Sequence, residues 1–434
     1  MTAGYKNRLL VFGMLAALCW YPAHGTEARP GQDTETVVIT DVKQSIPYQS
    51  RGRTAAEAPR RSAENIIRHW EKQHGKNVEN RNTERSSGKG SERIMRHWKV
   101  NSVSGGGTLL FSDSPESVTR DGILYTDTVS GDARILFYHL NSTNEPKKVA
   151  VILENRSRFR NKVQVTRGGM SEPGNDYLRV GKATQAEYFD TRLSDTMVLM
   201  YNGQRLLQDK MARTVLQPGE LVYGVYDFTT DHEVKVTVIL YPAWEDPFAF
   251  LSHASVLPKD EQRLRGTFHG MNRMISSAKS YDPSRDGIVY FPIGDNEYDL
   301  YLRGIDATDG SSVVNYGNYG VLYKIRIPTR GRQKMKYYLS PLGGVYAGAM
   351  TVRQDDGRSS LLLTPRGRVY FGDETYDIPQ SEELKKRGMT LLTEDTELAD
   401  LGTYRGSSAV SFEYSPPGAS NLPVNIILMP ENRP

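Results

Sequence analysis

The sequence predicts an all-β protein, with two tandem β-sandwich-like domains that follow a disordered tail. Short β-type runs recur along residues 101–434, and clusters of glycine, proline, asparagine, aspartate and serine separate them. Helical periodicity is scarce, and many short strands with frequent turns are typical of sandwiches and barrels. The polar stretch 256–265 is typical of a connection. We therefore place the domain boundary at residue 262, which gives domains 101–262 and 263–434.

Residues 1–25 have the features of an export signal. Lys6 and Arg8 precede an apolar run at 9–21 that is too short to cross a bilayer comfortably. Ala23 and Gly25 supply small residues at the positions that a signal peptidase requires, so cleavage is predicted after Gly25. An uncleaved anchor is the alternative. The predicted location is secreted or extracellular, with association to the cell wall.

The single cysteine, Cys19, lies inside this apolar run. The exported chain would therefore contain no disulfide, no thiolate metal ligand and no cysteine nucleophile. No other segment is long and apolar enough to cross a membrane, so we predict no membrane span after signal cleavage.

Residues 26–100 differ in composition from the rest of the chain. They contain 15 basic and 10 acidic residues and few apolar ones, whereas residues 101–434 contain 38 basic and 41 acidic residues. A segment of this composition cannot bury enough apolar surface to order itself, which predicts a disordered basic linker. Two roles remain open, a solvated spacer and a tether to anionic wall polymers. The folded body carries no basic excess, and no nucleic-acid partner is predicted.

A five-residue pattern occurs twice at the edge of this linker. Residues 66–70 read IIRHW and residues 94–98 read IMRHW. Chance would explain two such short matches, and so would short helical pieces that dock through tryptophan and arginine. The second copy is expected to be the first ordered element. A metal site shared by His69 and His97 would lack further ligands, so no metal site is predicted.

The β-type runs can be placed in both halves. In the first half they lie at 108–112, 123–126, 134–141, 148–154, 162–166, 196–201, 221–227 and 234–241. In the second half they lie at 287–292, 299–302, 321–327, 334–339, 347–352, 360–364, 368–372, 409–414 and 424–429. The last segment of each half predicts a hairpin that ends in an apolar strand and a proline. Either a duplication or the ordinary end of a sandwich would produce that likeness. One weak helix is predicted at 381–387.

The stretch 304–350 combines glycine with tyrosine more densely than any other part of the chain. Glycine permits a positive φ, while tyrosine favours strands and offers an aromatic face with a polar tip. Tyr323 alternates with polar neighbours and is expected in the core. Tyr316 and Tyr319, in the preceding turn, are expected to be exposed and to stack on sugars. Ordinary β packing is the alternative for all three.

The tetrapeptide at 315–318, Asn-Tyr-Gly-Asn, resembles the tyrosine motif of copper amine oxidases, in which the tyrosine becomes topaquinone. Gly317 stands where that motif has an acidic residue. The same chemistry needs three histidines beyond the tyrosine, and no histidine follows His269. Copper amine oxidase activity is therefore not expected, and no cofactor is predicted.

Carboxylates are frequent just before this motif, at Asp295, Glu297, Asp299, Asp306 and Asp309. Turn formation, calcium binding and acid–base catalysis on a glycoside would each use such residues. The chain shows no phosphate loop, nucleophile elbow or HExxH motif, and no catalytic residue is assigned. The candidate ligand-binding residues are Tyr316, Tyr319, Asp306 and Asp309.

Five segments together resemble a set of exported proteins from spore-forming Gram-positive bacteria: LLFSDSPESVTRDGILY (109–125), GNDYLRVGKATQAEYF (174–189), GIDATDGSSVVNYGNYGVLYKIRIP (304–328), LGGVYAGAM (342–350) and SPPGASNLPVNIILMP (415–430). Many members of that set are labelled by a copper amine oxidase N-terminal-like domain, which they carry as an extra module. The resemblance covers nearly all of 101–434 and implies no established activity. Residues 26–100 show no copy of the labelling module.

These observations predict an exported, non-enzymatic binding protein of the cell envelope. Its expected partners are cell-wall polysaccharide or other extracellular glycans. A polysaccharide hydrolase that uses the carboxylates of 295–309 is one alternative. A purely structural surface or spore-coat component is the other.

Overall fold

The computed structural model of the protein describes residues 93–342, 344–366, 389–392 and 398–431. The predicted signal peptide, residues 26–92 of the predicted linker, the helix at 381–387 and the strand at 368–372 lie outside the described residues. Strands dominate the described chain and form several sheets. The all-β, sandwich-like prediction is therefore confirmed.

The largest sheet has eleven strands, numbered in chain order over the whole protein, and is called the large sheet below. Its strands are β3 (Thr108–Ser112), β4 (Ser117–Val118), β5 (Gly122–Asn141), β6 (Lys147–Asn155), β7 (Asn161–Met170), β8 (Asp195–Leu199), β9 (Gln204–Leu206), β10 (Leu221–Pro242), β11 (Arg265–His269), β14 (Leu302–Asp306) and β15 (Ser311–Asn315). The main order is β15-β14-β11-β3-β5-β10-β6-β9, with β4 beside β5 and with β7 between β10 and β8.

Two further sheets have six strands each. The β1 sheet runs β20-β1-β13-β23-β17-β21 and contains β1 (Arg93–His97), β13 (Val289–Ile293), β17 (Lys334–Pro341), β20 (Met389–Leu392), β21 (Ala399–Arg405) and β23 (Val424–Pro430). The β2 sheet runs β19-β18-β22-β16-β12-β2 and contains β2 (Asn101–Gly105), β12 (Asn272–Ser276), β16 (Leu322–Ile325), β18 (Gly348–Gln354), β19 (Ser359–Thr364) and β22 (Val410–Tyr414).

Two long strands, β5 and β10, replace pairs of shorter strands that the sequence suggested. They pair with each other along almost their whole length, and β10 also pairs with β7 in its first half and with β6 in its second half. Both strands are irregular at the same level, where Gly131 has a φ of +72° and lies opposite Thr230. The predicted hairpin at 220–242 is wrong, because its polar centre is a bulge in one continuous strand.

The second predicted hairpin, at 408–430, is also wrong. β22 belongs to the β2 sheet, whereas β23 lies between β13 and β17 in the β1 sheet. The two halves of the chain therefore end in different ways.

The sheets cross the boundary that was predicted at residue 262. In the large sheet β11 pairs with β3, while β1 pairs with β13 and β2 pairs with β12. One hydrophobic core lies within the first half, and its members run from Leu110 to Leu257. A larger core joins residues of both halves, from Trp98 to Leu428. The division at residue 262 separates stretches of the chain, but it does not separate the sheets.

The second copy of the repeated IxRHW pattern, at 94–98, lies in β1 and the residue after it, so it is the first described element as expected, but the short helix suggested for it is wrong. The strand pairs in parallel with β13 and antiparallel with β20. Met95 and Trp98 are buried, whereas Ile94 is exposed. Residues 93–100 of the predicted linker therefore belong to the fold.

The longest helix, α1 (Tyr177–Asp190), was not predicted. The Asp176 carboxylate caps its first turn by accepting a hydrogen bond from the Arg179 amide at 3.1 Å. Its buried face includes polar side chains: Lys182 Nζ donates to the Pro365 carbonyl at 2.6 Å, and Thr184 Oγ1 donates to the Tyr223 carbonyl at 3.1 Å. These polar residues mask the apolar stripe by which an amphipathic helix is recognised. Two short helices, α2 (Lys210–Arg213) and α3 (Pro247–Leu251), complete the described fold. No helix among the described residues is long and apolar enough to cross a membrane.

A buried arginine on β5 connects the large sheet to the second half of the chain. The Arg134 guanidinium binds both carboxylate oxygens of Asp227, at 2.5 and 2.9 Å. It also donates to the Met271 carbonyl at 2.6 Å and to the Gly320 carbonyl at 3.0 Å. Arg134 is 1 % exposed, so this charge is compensated entirely by protein groups.

Candidate functional site

The Asn-Tyr-Gly-Asn motif forms a turn that its own asparagines hold in place. Asn315 donates to the Tyr319 carbonyl at 2.8 Å and accepts from the Tyr319 amide at 2.9 Å. Asn318, at a φ of +55°, donates to the Tyr323 hydroxyl at 2.9 Å and accepts from the Leu302 amide at 2.8 Å. Gly317 has a φ of +84°. The amides and the glycine therefore serve the backbone of the turn.

The prediction that Tyr319 is exposed is wrong. Its side chain is fully buried, and its hydroxyl donates to the Ser420 carbonyl at 2.6 Å. The ring is enclosed because residues around 420, a hundred positions further along the chain, cover the turn. Tyr323 is also fully buried, as predicted. Tyr316 is half-buried and contacts the Tyr301 ring edge-on, with the ring centroids 5.7 Å apart.

Asp295 and Asp299, two acidic residues of the stretch before this turn, have structural partners. The Asp295 carboxylate accepts from the amides of residues 297, 298 and 299, which is a turn-forming role. The buried Asp299 carboxylate accepts from Arg273 Nη1 at 2.5 Å and from the Tyr323 hydroxyl at 2.6 Å. In the described part of the chain, no three His, Cys, Asp or Glu residues are grouped so that they could hold a metal ion.

Asp306 and Asp309 lie together and share a lysine. Lys259 Nζ is 3.3 Å from Asp306 Oδ2 and 2.7 Å from Asp309 Oδ2, and it donates to Ser311 Oγ at 2.6 Å. Asp306 is fully buried and also accepts from Arg265 Nε at 2.9 Å, whereas Asp309 is exposed. These contacts join the loop at 258–265 to the β14–β15 turn.

The pKa values of both aspartates lie below their ordinary range. Burial raises the pKa of Asp306, but hydrogen bonds from Thr308 and Arg265 outweigh that effect and lower it. Hydrogen bonds from Lys259 and Ser311 lower the pKa of Asp309. Both groups are therefore ionised acceptors at neutral pH, which is the opposite of what a general acid requires.

A shallow pocket of about 680 Å³, largely open to solvent, lies at this junction. Its lining residues are Pro258, Lys259, Asp260, Glu261, Arg263, Arg265, Asp309 and Ser311. The walls present hydrogen-bond donors and acceptors of both charges and no aromatic ring. Of the four predicted ligand-binding residues, Asp309 lines this pocket and Asp306 supports it from behind, while Tyr316 and Tyr319 are not among the lining residues.

Asp260 connects the pocket to a buried acidic group. Its carboxylate accepts from Ser114 Oγ at 2.8 Å and from the Glu116 amide at 2.8 Å. Asp113 and Glu116 lie on the interior side of this contact and are 1 % and 5 % exposed. Among the described residues, neither carboxylate oxygen of Asp113 has a hydrogen-bond partner.

Burial changes the acidity of this group. It raises the pKa of Glu116 to about 8, with a smaller contribution from the Asp260 carboxylate. Burial, followed by the Glu116 and Asp260 charges, raises the pKa of Asp113 well above its ordinary value. Glu116 is therefore largely protonated at neutral pH, since an ionised carboxylate at this depth would be uncompensated, and the pKa of Asp113 is shifted in the same direction.

A serine–histidine pair lies next to these carboxylates. Ser112 Oγ is 2.9 Å from His139 Nε2, and His139 Nδ1 is 2.9 Å from the Pro115 carbonyl. A carbonyl only accepts, so Nδ1 carries the proton and Nε2 accepts from Ser112. Burial lowers the pKa of His139 to about 4. Both side chains are fully buried, so this pair has no access to a substrate.

Sequence reasoning missed most of the residues that form this site. The pocket wall at 258–265 was interpreted as a connection only. The polar sequence SDSPES at 112–117, which begins at the last residue of the buried strand β3, belongs to one of the segments that carry the resemblance, and no site is predicted there. A run of acidic and hydroxyl residues directly after a strand that is buried on both faces was the available signal.

Comparisons with known proteins do not assign a family. No protein-family model matches the chain, and no curated protein matches it. Among solved structures, a Paenibacillus xanthan lyase is 8 % identical over 73 % of this chain and 25 % of its own length, at a TM-score of 0.15. PNGF-II is 8 % identical over 79 % of this chain and 65 % of its own length, also at 0.15. The 11S allergen from Cocos nucifera is 8 % identical over 78 % of this chain and 91 % of its own length, at a TM-score of 0.12. Similarity at this level transfers neither a fold nor an activity to this protein.

Proposed function

We propose that the protein is an exported, non-enzymatic binding protein of the cell envelope, and that the pocket between 258–265 and 309–311 binds a segment of wall polysaccharide. The observation that carries the proposal is the lining of that pocket. Lys259, Arg263, Asp309 and Ser311 present donors and acceptors around a space of about 680 Å³. A hydroxyl-rich ligand needs both kinds of group, because each sugar hydroxyl donates and accepts.

The pocket is held in place before any ligand binds. Arg265, which forms its floor, donates to the carbonyls of Ser114, Leu124 and Leu257 at 2.7–3.3 Å. Asp260 accepts hydrogen bonds from two amides of its own loop at 3.1 Å each. Fixed polar groups lose little conformational entropy on binding, which favours affinity for a polar ligand such as a glycan.

The pocket contains no aromatic ring, which changes the expected mode of recognition. Sugar stacking on Tyr316 and Tyr319 was the sequence-based hypothesis, and the burial of Tyr319 removes its support. Recognition in this pocket would rely on hydrogen bonds and charge, which favours glycans that carry amide, carboxylate or phosphate groups.

A glycan-array screen of the whole protein, followed by calorimetry with the best ligand, tests this proposal. Asp309→Asn and Arg263→Gln should each weaken binding about tenfold, the effect of losing one hydrogen bond to a charged group. Asp356→Asn and Arg353→Gln are matched controls, since both residues are exposed and neither lines the pocket. Glycan binding that is equally weakened by the control variants, or no glycan binding at all, would refute the assignment.

A polysaccharide hydrolase is the second candidate, and one observation favours it. Asp260, which lines the pocket, accepts a hydrogen bond from the backbone amide of Glu116, and its charge contributes to raising the pKa of the buried Glu116 carboxyl to about 8. A protonated carboxyl beside another carboxylate is the pairing that glycoside hydrolysis uses. Release of reducing ends from isolated walls, abolished in both Glu116→Gln and Asp260→Asn, would establish this alternative in place of simple binding.

A further inference from the structure

One end of the large sheet carries an unusual surface, made of three segments that we call the arginine–aromatic corner: residues 154–162, 198–205 and 230–233. The first segment contains the sequence RSRFR at 156–160. Thirteen large hydrophobic side chains are exposed among the described residues, and four of them lie in this corner. They are Phe159, Val198, Met200 and Tyr201, which are 68 %, 54 %, 55 % and 61 % exposed.

Buried asparagines hold the three segments together. Asn155 Nδ2 donates to the Phe159 carbonyl at 2.8 Å and to the Leu199 carbonyl at 3.0 Å. The Asn202 amide donates to the Asn155 carbonyl at 2.9 Å, which fixes the turn at 200–203 against the first segment. The corner is therefore a preorganised surface, and its exposed apolar side chains are fixed features of the fold.

Asn161 forms the second of these connections. Its Nδ2 donates to the carbonyls of His232 and Glu233 at 2.9 and 3.0 Å, and its Oδ1 accepts from the His232 amide at 3.1 Å. The Phe159 and His232 rings contact each other, with centroids 5.6 Å apart. The bulge in β10 thus places its polar residues beside the arginine-rich loop.

The charge of the corner is positive. Its three segments contain five arginines and lysines against three carboxylates. Arg156 pairs with Glu154 at 2.9 Å. Within the described part of the chain, no carboxylate lies within ion-pair distance of Arg158, Arg160 or Lys162. These cations are exposed and available to an external anion.

We propose that the arginine–aromatic corner docks on an anionic lipid surface. Arginine side chains would bind lipid phosphates, while Phe159, Tyr201 and Met200 would enter the headgroup region, where aromatic and flexible apolar side chains are stable. A soluble polyanion would use the arginines but would gain nothing from Val198 or Met200. The combination of four exposed apolar side chains with unpaired cations therefore favours a membrane surface over a polyanionic polymer.

Vesicle co-sedimentation of the whole protein tests this proposal. The wild-type protein should bind vesicles of mixed phosphatidylcholine and phosphatidylglycerol and should not bind pure phosphatidylcholine. Arg158→Gln combined with Arg160→Gln should weaken partitioning about thirtyfold, from the contribution of two cations near an anionic surface. Phe159→Ser combined with Tyr201→Ser should weaken it about tenfold or more.

Two matched controls separate docking from general surface effects. Trp244→Ser removes another exposed aromatic ring, and Arg326→Gln combined with Arg353→Gln removes the same charge elsewhere. Both control variants should keep wild-type partitioning, and thermal melts should confirm that all variants are folded. Wild-type protein that ignores anionic vesicles overturns the proposal. So does a loss of binding in the controls equal to that in the corner variants. Retention on heparin that needs only the arginines, without vesicle binding, would identify a soluble polyanion as the ligand instead.

Discussion

The buried carboxyl group of Glu116 predicts an unusual dependence of stability on pH. Its pKa rises from 4.5 to about 8 on folding, chiefly because the side chain is buried. The folded state therefore keeps a proton that the unfolded state has released, and the stabilisation is complete below about pH 4.5 and lost as the pH rises to about 8. Since one pKa unit corresponds to about 1.4 kcal/mol, this group removes about 2 kcal/mol from the free energy of unfolding between about pH 6.5 and pH 9.

Other titrating groups determine which pH window is informative. Burial lowers the pKa of His139 from 6.5 to about 4, so the unfolded state takes up a proton there as the pH falls, and stability is lost between those two values. Above about pH 6.5 that effect is constant. Asp113 changes stability in the same direction as Glu116; burial, the main cause of its raised pKa, is the same in the wild type and in Glu116→Gln, whereas the smaller contribution of the Glu116 charge is lost in the variant.

Urea unfolding of the wild type and of Glu116→Gln, at several pH values from about 6.5 to 9, measures the effect. Glutamine has nearly the shape of a protonated glutamate but releases no proton on unfolding, so the variant should already be the more stable protein at about pH 6.5, two units above the pKa of the unfolded glutamate. The difference in the free energy of unfolding between the variant and the wild type should be about 2 kcal/mol larger at pH 9 than at pH 6.5. Glu261→Gln, on the exposed part of the same pocket, should show no such divergence. Parallel pH profiles for the wild type and Glu116→Gln would show that Glu116 is ionised in the folded protein, and the reasoning about the acidic group would fail.

Three further predictions concern stability. Tyr319→Ala should cost about 3–5 kcal/mol in urea unfolding, whereas Tyr319→Phe should cost about 1 kcal/mol, because only the hydrogen bond to residue 420 is lost; equal costs would contradict the buried packing. Arg134→Met should cost about 3–5 kcal/mol, because it leaves the Asp227 carboxylate without its cation, and Asp227→Asn in the same background should recover part of that loss. Gly320→Ala should destabilise more than Gly357→Ala: both have a φ near +78°, but a Cβ at Gly320 would lie 2.9 Å from a buried leucine methyl, while Gly357 has open space. Thermal melts that rank the two alanine variants the other way would refute that reasoning.

The local sequence pattern was sufficient to predict the strands that are apolar runs between turn-forming residues. β3, β6 and β23 were predicted to within two residues, because each is an apolar run bounded by turn-forming residues. β5 and β10 were each divided in two, since polar residues in a bulge have the same composition as those in a turn. The residue that stabilises the bulge in β10 is Asn161, about seventy positions away in the chain.

The candidate site was predicted only in part for a similar reason. Asp306 and Asp309 were identified because acidic residues cluster in that stretch, and both lie at the pocket. Tyr319 is buried because a loop around residue 420 covers it. That loop is distant in the sequence, so the immediate neighbours of Tyr319 carry no information about its burial. The roles of Lys259 and Arg265 depend on carboxylates about forty to fifty residues further on, which no local pattern contains.

The position of β23 has a consequence for the order in which the protein folds. This strand lies in the middle of the β1 sheet, between β13 and β17, and the same sheet takes in β1 near residue 93. A ribosome makes β1 first and β23 more than three hundred residues later. The strand that joins β13 to β17 is therefore missing until almost the whole described chain has been synthesised. Closing such distant contacts slows folding, since the entropy of a long loop must be lost before the contacts form. Until β23 has been made, β13 and β17 each lack a strand with which they pair in the finished sheet.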